Sequence, residues 1–211
     1  MQLKTRLKIS SVNSLTDGRY FAAVGAEWIG FELTEGAERF VSPESAHEIM
    51  NWLAGPRFVG QYNDATVDKI NENIEHLKLD IIQTNIDLDL NSLSGKVQSI
   101  IKEIEVKKET SFDSIKQVFE EQKQWTSQFL LNFCFSWDEM KNSNDWSVEN
   151  LKMLCEIHPT FIKLDFTEDN LLEILEQVEP FGIDLIGGNE IKTGLQVFDD
   201  VQALIELLEI E

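Results

Sequence analysis

Glu32, Glu105 and Asp165 each fall near the C-terminal end of a short β-rich run. Strands lying parallel in one sheet would bring these carboxylates around one mouth. They could hold a cation there, and an unpaired acidic rim accounts for them equally well. His47, His76 and His158 fall in separate helix-like stretches with no spacing for shared ligation, so no metal site and no cofactor is expected. Cys134 and Cys155 are the only cysteines. Both lie in apolar surroundings and read as small buried hydrophobes rather than as a disulfide framework. Trp52, Trp125, Trp137 and Trp146 read mainly as core or helix-packing residues, with Trp137 alone in a loop on the catalytic face.

The elements that would position these groups follow from periodicity. Eight β-rich runs, at residues 3–9, 28–33, 58–62, 80–84, 99–106, 129–133, 160–164 and 183–187, alternate with amphipathic stretches. Ser42-Pro43-Glu44 opens a helix with serine as cap and proline at the first helical position. Asp64-Ala65-Thr66 leads into residues 67–77, and Ser147 precedes residues 148–157. Thr167-Glu168-Asp169 puts acids at the positive end of residues 170–178, and the chain closes on residues 197–208. After the fourth run only a weak helical turn is expected, near residues 90–93. Parallel strands with helical crossovers, eight times over, favour an α/β fold of the (βα)₈ TIM-barrel type, one domain over residues 1–211. The alternative, an open doubly wound sheet, would want a glycine-rich turn after the first strand, and residues 10–14 have no glycine.

Bulk properties narrow the partners. The net charge of −20 repels nucleic acid and anionic membranes and opposes phosphorylated metabolites unless local basic groups overcome it. Acidic solvated helix faces explain that charge without any ligand. No apolar run approaches a membrane span, and the first 14 residues lack signal-peptide features, so a cytoplasmic protein is expected.

Several segments, in order, resemble one family. Lys8-Ile9-Ser10-Ser11-Val12-Asn13 is similar to the KICGIT opening of phosphoribosylanthranilate isomerase. Residues 22–31 (AAVGAEWIGF) resemble its next block, and Arg39-Phe40-Val41-Ser42-Pro43-Glu44 its RYVSPE segment. Residues 79–83 (LDIIQ), 101–106 (IKEIEV) and Asp145-Trp146-Ser147 resemble LDVVQLHG, IKAIRV and FDWS. Asp184, Gly188, Glu190 and Gly194 keep the spacing of a DVSSGVE…PG segment. The resemblance runs nearly end to end and implies the same barrel.

It also implies a chemistry, an Amadori rearrangement that opens an aminated ribose phosphate. A general acid protonates the ring oxygen and a general base takes a carbon-bound proton, each contributing about 10²–10⁴-fold. The family's base is the cysteine of KICGIT, which falls on Ser10, and a hydroxyl needs an activating neighbour that the sequence does not make evident. The family's acid follows a Leu-Leu pair and falls on Asn132, which cannot donate a proton near neutrality. LAGGL, whose glycines cradle the phosphate, becomes Ile162-Lys163-Leu164-Asp165-Phe166. Leu164 and Asp165 obstruct that cradle, and Lys163 compensates only by turning into the mouth. The family's serines after the last strand become Ile186 and Gly187, leaving Gly187 and Gly188 as N–H donors. Its glycine-rich loop after the sixth strand becomes residues 138–144, and its histidine after the fourth becomes Asn85. Arg39 and Asp184 match substrate-contacting residues. Arg39 has an alternative in an ion pair with Glu35 or Glu38, and Asp184 in a bond to loop backbone.

Three functional expectations follow. The first is a pseudoenzyme, an isomerase-like barrel that has lost the rearrangement and serves as a binding, regulatory or interaction protein, its protein partner unidentified. The second is a working isomerase of tryptophan biosynthesis with substituted acid and base, drawn from Glu32 or Asp165. The third is a different enzyme for a cationic or uncharged ligand at an acidic mouth. All three put a small molecule at the C-terminal mouth or leave that mouth free for one.

Overall fold

The computed structural model describes residues 2–143, 145–192 and 195–210. Eight parallel strands close in sequential order: β1 (Arg6–Ser10), β2 (Trp28–Glu32), β3 (Arg57–Tyr62), β4 (Ile81–Thr84), β5 (Ser99–Val106), β6 (Gln128–Phe133), β7 (Thr160–Lys163) and β8 (Gly182–Ile186). The ring shuts between β8 and β1, where Lys8 stands opposite Asp184 and Ser10 opposite Ile186.

The first strand begins later than its apolar pattern suggests. Leu3 bridges Glu209, and Lys4 N donates to Leu208 O, so residues 3–5 tie the chain ends together before the barrel starts.

Helices α1 (Leu15–Ala23), α2 (Pro43–Asn51), α3 (Val67–Leu77), α4 (Phe112–Gln122), α5 (Trp137–Lys141), α6 (Val148–Ile157), α7 (Leu171–Val178) and α8 (Asp199–Leu208) accompany the strands. Ser42, Thr66 and Ser147 each accept a backbone N–H three residues on, as their positions before apolar-periodic stretches imply. After β4 a single 3₁₀ turn, Leu90–Ser92, replaces a crossover helix. Residues 138–144 are not simply a loop. Ser136 and Glu139 form a capping box that starts α5, and Trp137 is buried at its first position; Asn144 lies outside the described residues. A two-stranded antiparallel pair, β9 (Asn189–Lys192) with β10 (Leu195–Val197), precedes α8, so Val197 is a strand residue and the last helix starts at Asp199. Gly194 lies outside the described residues, as does the side chain of Glu190.

Two apolar layers hold this frame. Strand residues facing outward pack with the helices in one large core. Inside the barrel, Trp28, Val59, Ile81, Ile101, Leu130 and Phe161 form a separate plug near the N-terminal end. Side chains alternate along a strand, so the residue two places on from each plug member also points inward. Those residues are Gly30, Gln61, Gln83, Glu103, Asn132 and Lys163. One step along the barrel axis, the interior changes from wholly apolar to polar at every position but Gly30.

Candidate active site

Lys8 enters that polar layer from β1 and Asp184 from β8. Lys8 Nζ lies 2.8 Å from Asp184 Oδ1, and neither side chain has any exposure. Ser10, two residues beyond Lys8 on the same strand face, accepts from Lys8 Nζ at 2.6 Å and from Gln61 Nε2 at 2.9 Å. It donates to Asp184 at 2.8 Å. A hydroxyl has one proton and two acceptor sites, so Ser10 is fully committed within the protein.

Burial pushes the Lys8 amine below its usual range, against the pull of Asp184 and Glu103. Lys8 is the neighbour of Ser10 that the sequence does not make evident, although the two-residue period of a strand places it there. Asp184 is not at the mouth surface; it bonds Lys8 and Ser10 rather than loop backbone.

Gln61 reaches Ser10 because β2 has a glycine beneath it. A Cβ on Gly30 would stand 2.5 Å from Gln61 Oε1. The same oxygen accepts from Ser11 N at 2.7 Å, and Ser11 sits in the left-handed region at φ 56°.

Across the barrel lies a second polar group. Asn132 donates from Nδ2 to Glu103 Oε1 at 2.8 Å, and Gln83 donates from Nε2 to Glu103 Oε2 at 2.7 Å. Glu103, on the middle strand of three, is thus gripped from both neighbours. It is half-buried, as are Asn132 and Lys163. Lys163 acts electrostatically on the enclosed Lys8, as its inward position from β7 requires.

The mouth carboxylates picked out by strand position have separate duties. Glu32 accepts from Thr34 N at 2.9 Å and from Asn63 Nδ2 at 2.5 Å, and burial raises its pKa. Glu105 pairs with Lys107. Asp165 accepts from Trp137 N at 3.0 Å at the start of α5. Among the described residues no group of three His, Cys, Asp or Glu side chains is placed to hold a metal ion. Cys134, expected to be buried, is exposed just past the end of β6. Cys155 is half-buried, its thiol pushed up to about 12 by burial.

Arg39 and the glycines after β8 meet around α1. Arg39 donates from Nε to Ser11 O at 2.9 Å and from Nη2 to Gly188 O at 3.0 Å. It pairs with Asp17, 3.9 Å away, rather than with Glu35 or Glu38. Gly188 N donates to Asp17 Oδ1 at 2.8 Å, and Gly187 N donates to Ser10 O at 2.9 Å. The two N–H groups expected to be open for a phosphate are therefore engaged inside the protein. A side chain at Gly187 would meet Asp17 at 2.5 Å, and one at Gly188 would meet the Phe198 ring at 2.6 Å. These glycines admit α1 and Phe198 to the barrel end.

Residues 7–207 match the family model of N-(5'phosphoribosyl)anthranilate (PRA) isomerase. An N-(5'-phosphoribosyl)anthranilate isomerase of Aquifex aeolicus is 28% identical over 217 residues, covering 98% of this chain and 99% of that protein. One from Geobacter metallireducens is 26% identical over 203 residues, covering 90% and 91%. A crystal structure of phosphoribosyl anthranilate isomerase with reduced 1-(o-carboxyphenylamino)-1-deoxyribulose 5-phosphate superposes with a TM-score of 0.74 at 19% identity, over 96% and 97% of the two chains. These likenesses overturn the expectation of a pseudoenzyme that has lost the reaction. Its relatives carry the isomerase name along their whole length. The premise behind it, that nothing titratable replaces the groups lost at Ser10 and Asn132, meets Lys8 bonded to Ser10 and Glu103 bonded to Asn132. No helix among the described residues is long and apolar enough to cross a membrane.

Proposed function

Because this chain belongs to the N-(5'-phosphoribosyl)anthranilate isomerase family, we propose that it catalyses that isomerisation in tryptophan biosynthesis with substituted acid and base groups. The supporting observation is the polar layer itself. Two lysines and two carboxylates occupy the barrel interior where Ser10 and Asn132 alone provide no titratable pair.

Within this reading the parts divide by position. Lys8 and Asp184 lie beneath the mouth and set the field there, so Asp184 acts on the substrate through Lys8. Arg39, its guanidinium partly exposed, faces the anthranilate carboxylate. Lys163 takes the phosphate, since a buried carboxylate and a backbone carbonyl already occupy the Gly187 and Gly188 N–H groups. A cationic side chain in place of glycine backbone supplies charge without close approach of the main chain. A cytoplasmic location goes with such a metabolic role.

Steady-state turnover of N-(5'-phosphoribosyl)anthranilate, with growth rescue of a strain lacking the isomerase, tests the reading. Ser10→Cys with Asn132→Asp is expected to change an activity already present. An unmodified protein that neither turns over the substrate nor rescues growth contradicts it.

A further inference from the structure

We propose that Glu103 is the proton-transferring carboxyl of this barrel, displaced by one strand from the position that Asn132 now fills; this rests on the isomerase reading above.

Three observations carry it. Glu103 lies in hydrogen-bond contact with Asn132, so a carboxyl oxygen reaches the space beside the amide that replaces the family's acid. Glu103 follows Ile101 of the apolar plug by two residues, so it points into the same interior layer as Asn132 on the neighbouring strand. Finally, Glu103 has no ion-pair partner among the described residues and stays half-exposed toward the mouth. Its competitors are closed off. Glu32 is buried at 5% exposure, where Glu103 is half-exposed, Asp165 is turned to α5, and Asp184 is sealed against Lys8.

The surroundings suit a group that changes protonation. Both partners are carboxamides, which present N–H to a carboxylate or, turned over, C=O to a carboxylic acid. Gln83 is 2% exposed, and its Oε1 has no hydrogen-bond partner among the described residues. A turn of that amide would put an acceptor against a protonated Glu103.

The steps balance with one carboxyl. Glu103 gives its proton to the ribose ring oxygen as the C1'–O bond breaks, its electron pair staying on oxygen. The nitrogen lone pair forms C=N, leaving an iminium and a Glu103 carboxylate. That carboxylate takes the C2' proton, the C2'–H pair forms the enamine, and Glu103 is again protonated. The ring oxygen and C2' are both bonded to C1', so one carboxylate facing C1' serves both steps. The enol then becomes the ketone as its hydroxyl proton passes through water to C1'. Ser10 has no part in proton removal, because its own proton and both lone pairs are engaged.

The test compares the parent, Glu103→Gln and Glu103→Gln with Asn132→Asp. Glu103→Gln is expected to lower kcat by about 10²–10⁴-fold while affinity for reduced 1-(o-carboxyphenylamino)-1-deoxyribulose 5-phosphate stays within about threefold, which also reports an intact fold. Adding Asn132→Asp returns a carboxyl to the same space and is expected to recover at least about tenfold in kcat. A Glu103→Gln protein with near-parental kcat overturns the proposal and leaves the isomerase reading standing. A loss that Asn132→Asp does not recover marks packing damage and overturns it too. An inactive parent strikes both.

Discussion

The Lys8 ammonium stands 2.8 Å from Asp184 Oδ1 with both side chains wholly enclosed, at the seam where the last strand of the barrel meets the first. Burial of such a pair is costly, and each charge is tolerable only because the other is present. Removing one partner from a buried pair costs about 3–5 kcal/mol. Asp184→Asn and Lys8→Met are each expected to lose stability of that order in urea unfolding. Lys8→Met with Asp184→Leu should lose clearly less than the sum of the single losses. Fully additive losses would mean that the two charges do not support each other.

Gly30 and Gln61 give a second prediction. Ala at position 30 would place its Cβ 2.5 Å from Gln61 Oε1 and 2.7 Å from its Cδ. Gln61 would then release Ser10 and the strained Ser11 backbone. Overpacking of this kind costs about 1–3 kcal/mol. Thermal unfolding should show Gly30→Ala well below the parent and Gly30→Ala with Gln61→Ala less affected than Gly30→Ala. A Gly30→Ala protein as stable as the parent would mean that the side chain of Gln61 has another place to go.

Asp17 supplies a pH dependence. Burial pushes its carboxyl up to about 6, outweighing the Gly188 N–H and Arg39, which favour the charged form. The unfolded value is near 3.8, so between about pH 4 and 6 the folded chain holds the extra proton. Stability from this group is therefore present at low pH and is lost as pH rises through 6, by about 3 kcal/mol in all. Asp17→Asn is expected to remove that part of the slope and to be at least as stable as the parent at pH 7. Urea midpoints from pH 4 to 7 with the same slope in both proteins would contradict the assignment.

What could be seen in advance divides by the range of the interaction. The caps at Ser42, Thr66 and Ser147 were legible because a cap depends on a few neighbouring residues. The barrel was legible because alternation of strand and helix leaves few closures. The polar layer was only partly so. Ser10, Asn132 and Asp184 were singled out, but Lys8, Gln61 and Glu103 were passed over, although Lys8 lies one strand period from Ser10 and Glu103 one from Glu105. Counting inward positions upward from the plug finds Gln61 and Glu103. The pairing of Asp17 with Arg39 had no local signal, since it exists only once α1 and the loop after β2 meet beside Gly188. The short β9–β10 pair was hidden because Val197 also continues the apolar period of α8.

Lys163 is where the proposed phosphate contact can be separated from the chemistry. It follows Phe161 of the apolar plug by two residues, so it points inward, and it is half-buried with no ion-pair partner among the described residues. In a chain of net charge −20, an inward cation at the end of β7 offsets the repulsion that an incoming phosphate meets. A hydrogen bond to a charged group is worth about 1.5–3 kcal/mol, or about 10–100-fold in binding. Lys163→Met is expected to raise KM by that factor and to leave kcat within a few-fold, because the phosphate is bound equally in ground and transition states. The parent's KM should climb with added salt, and the Lys163→Met value should climb less. A variant that loses kcat at unchanged KM would place Lys163 with the reacting carbons instead, beside Glu103, and would remove it from the phosphate.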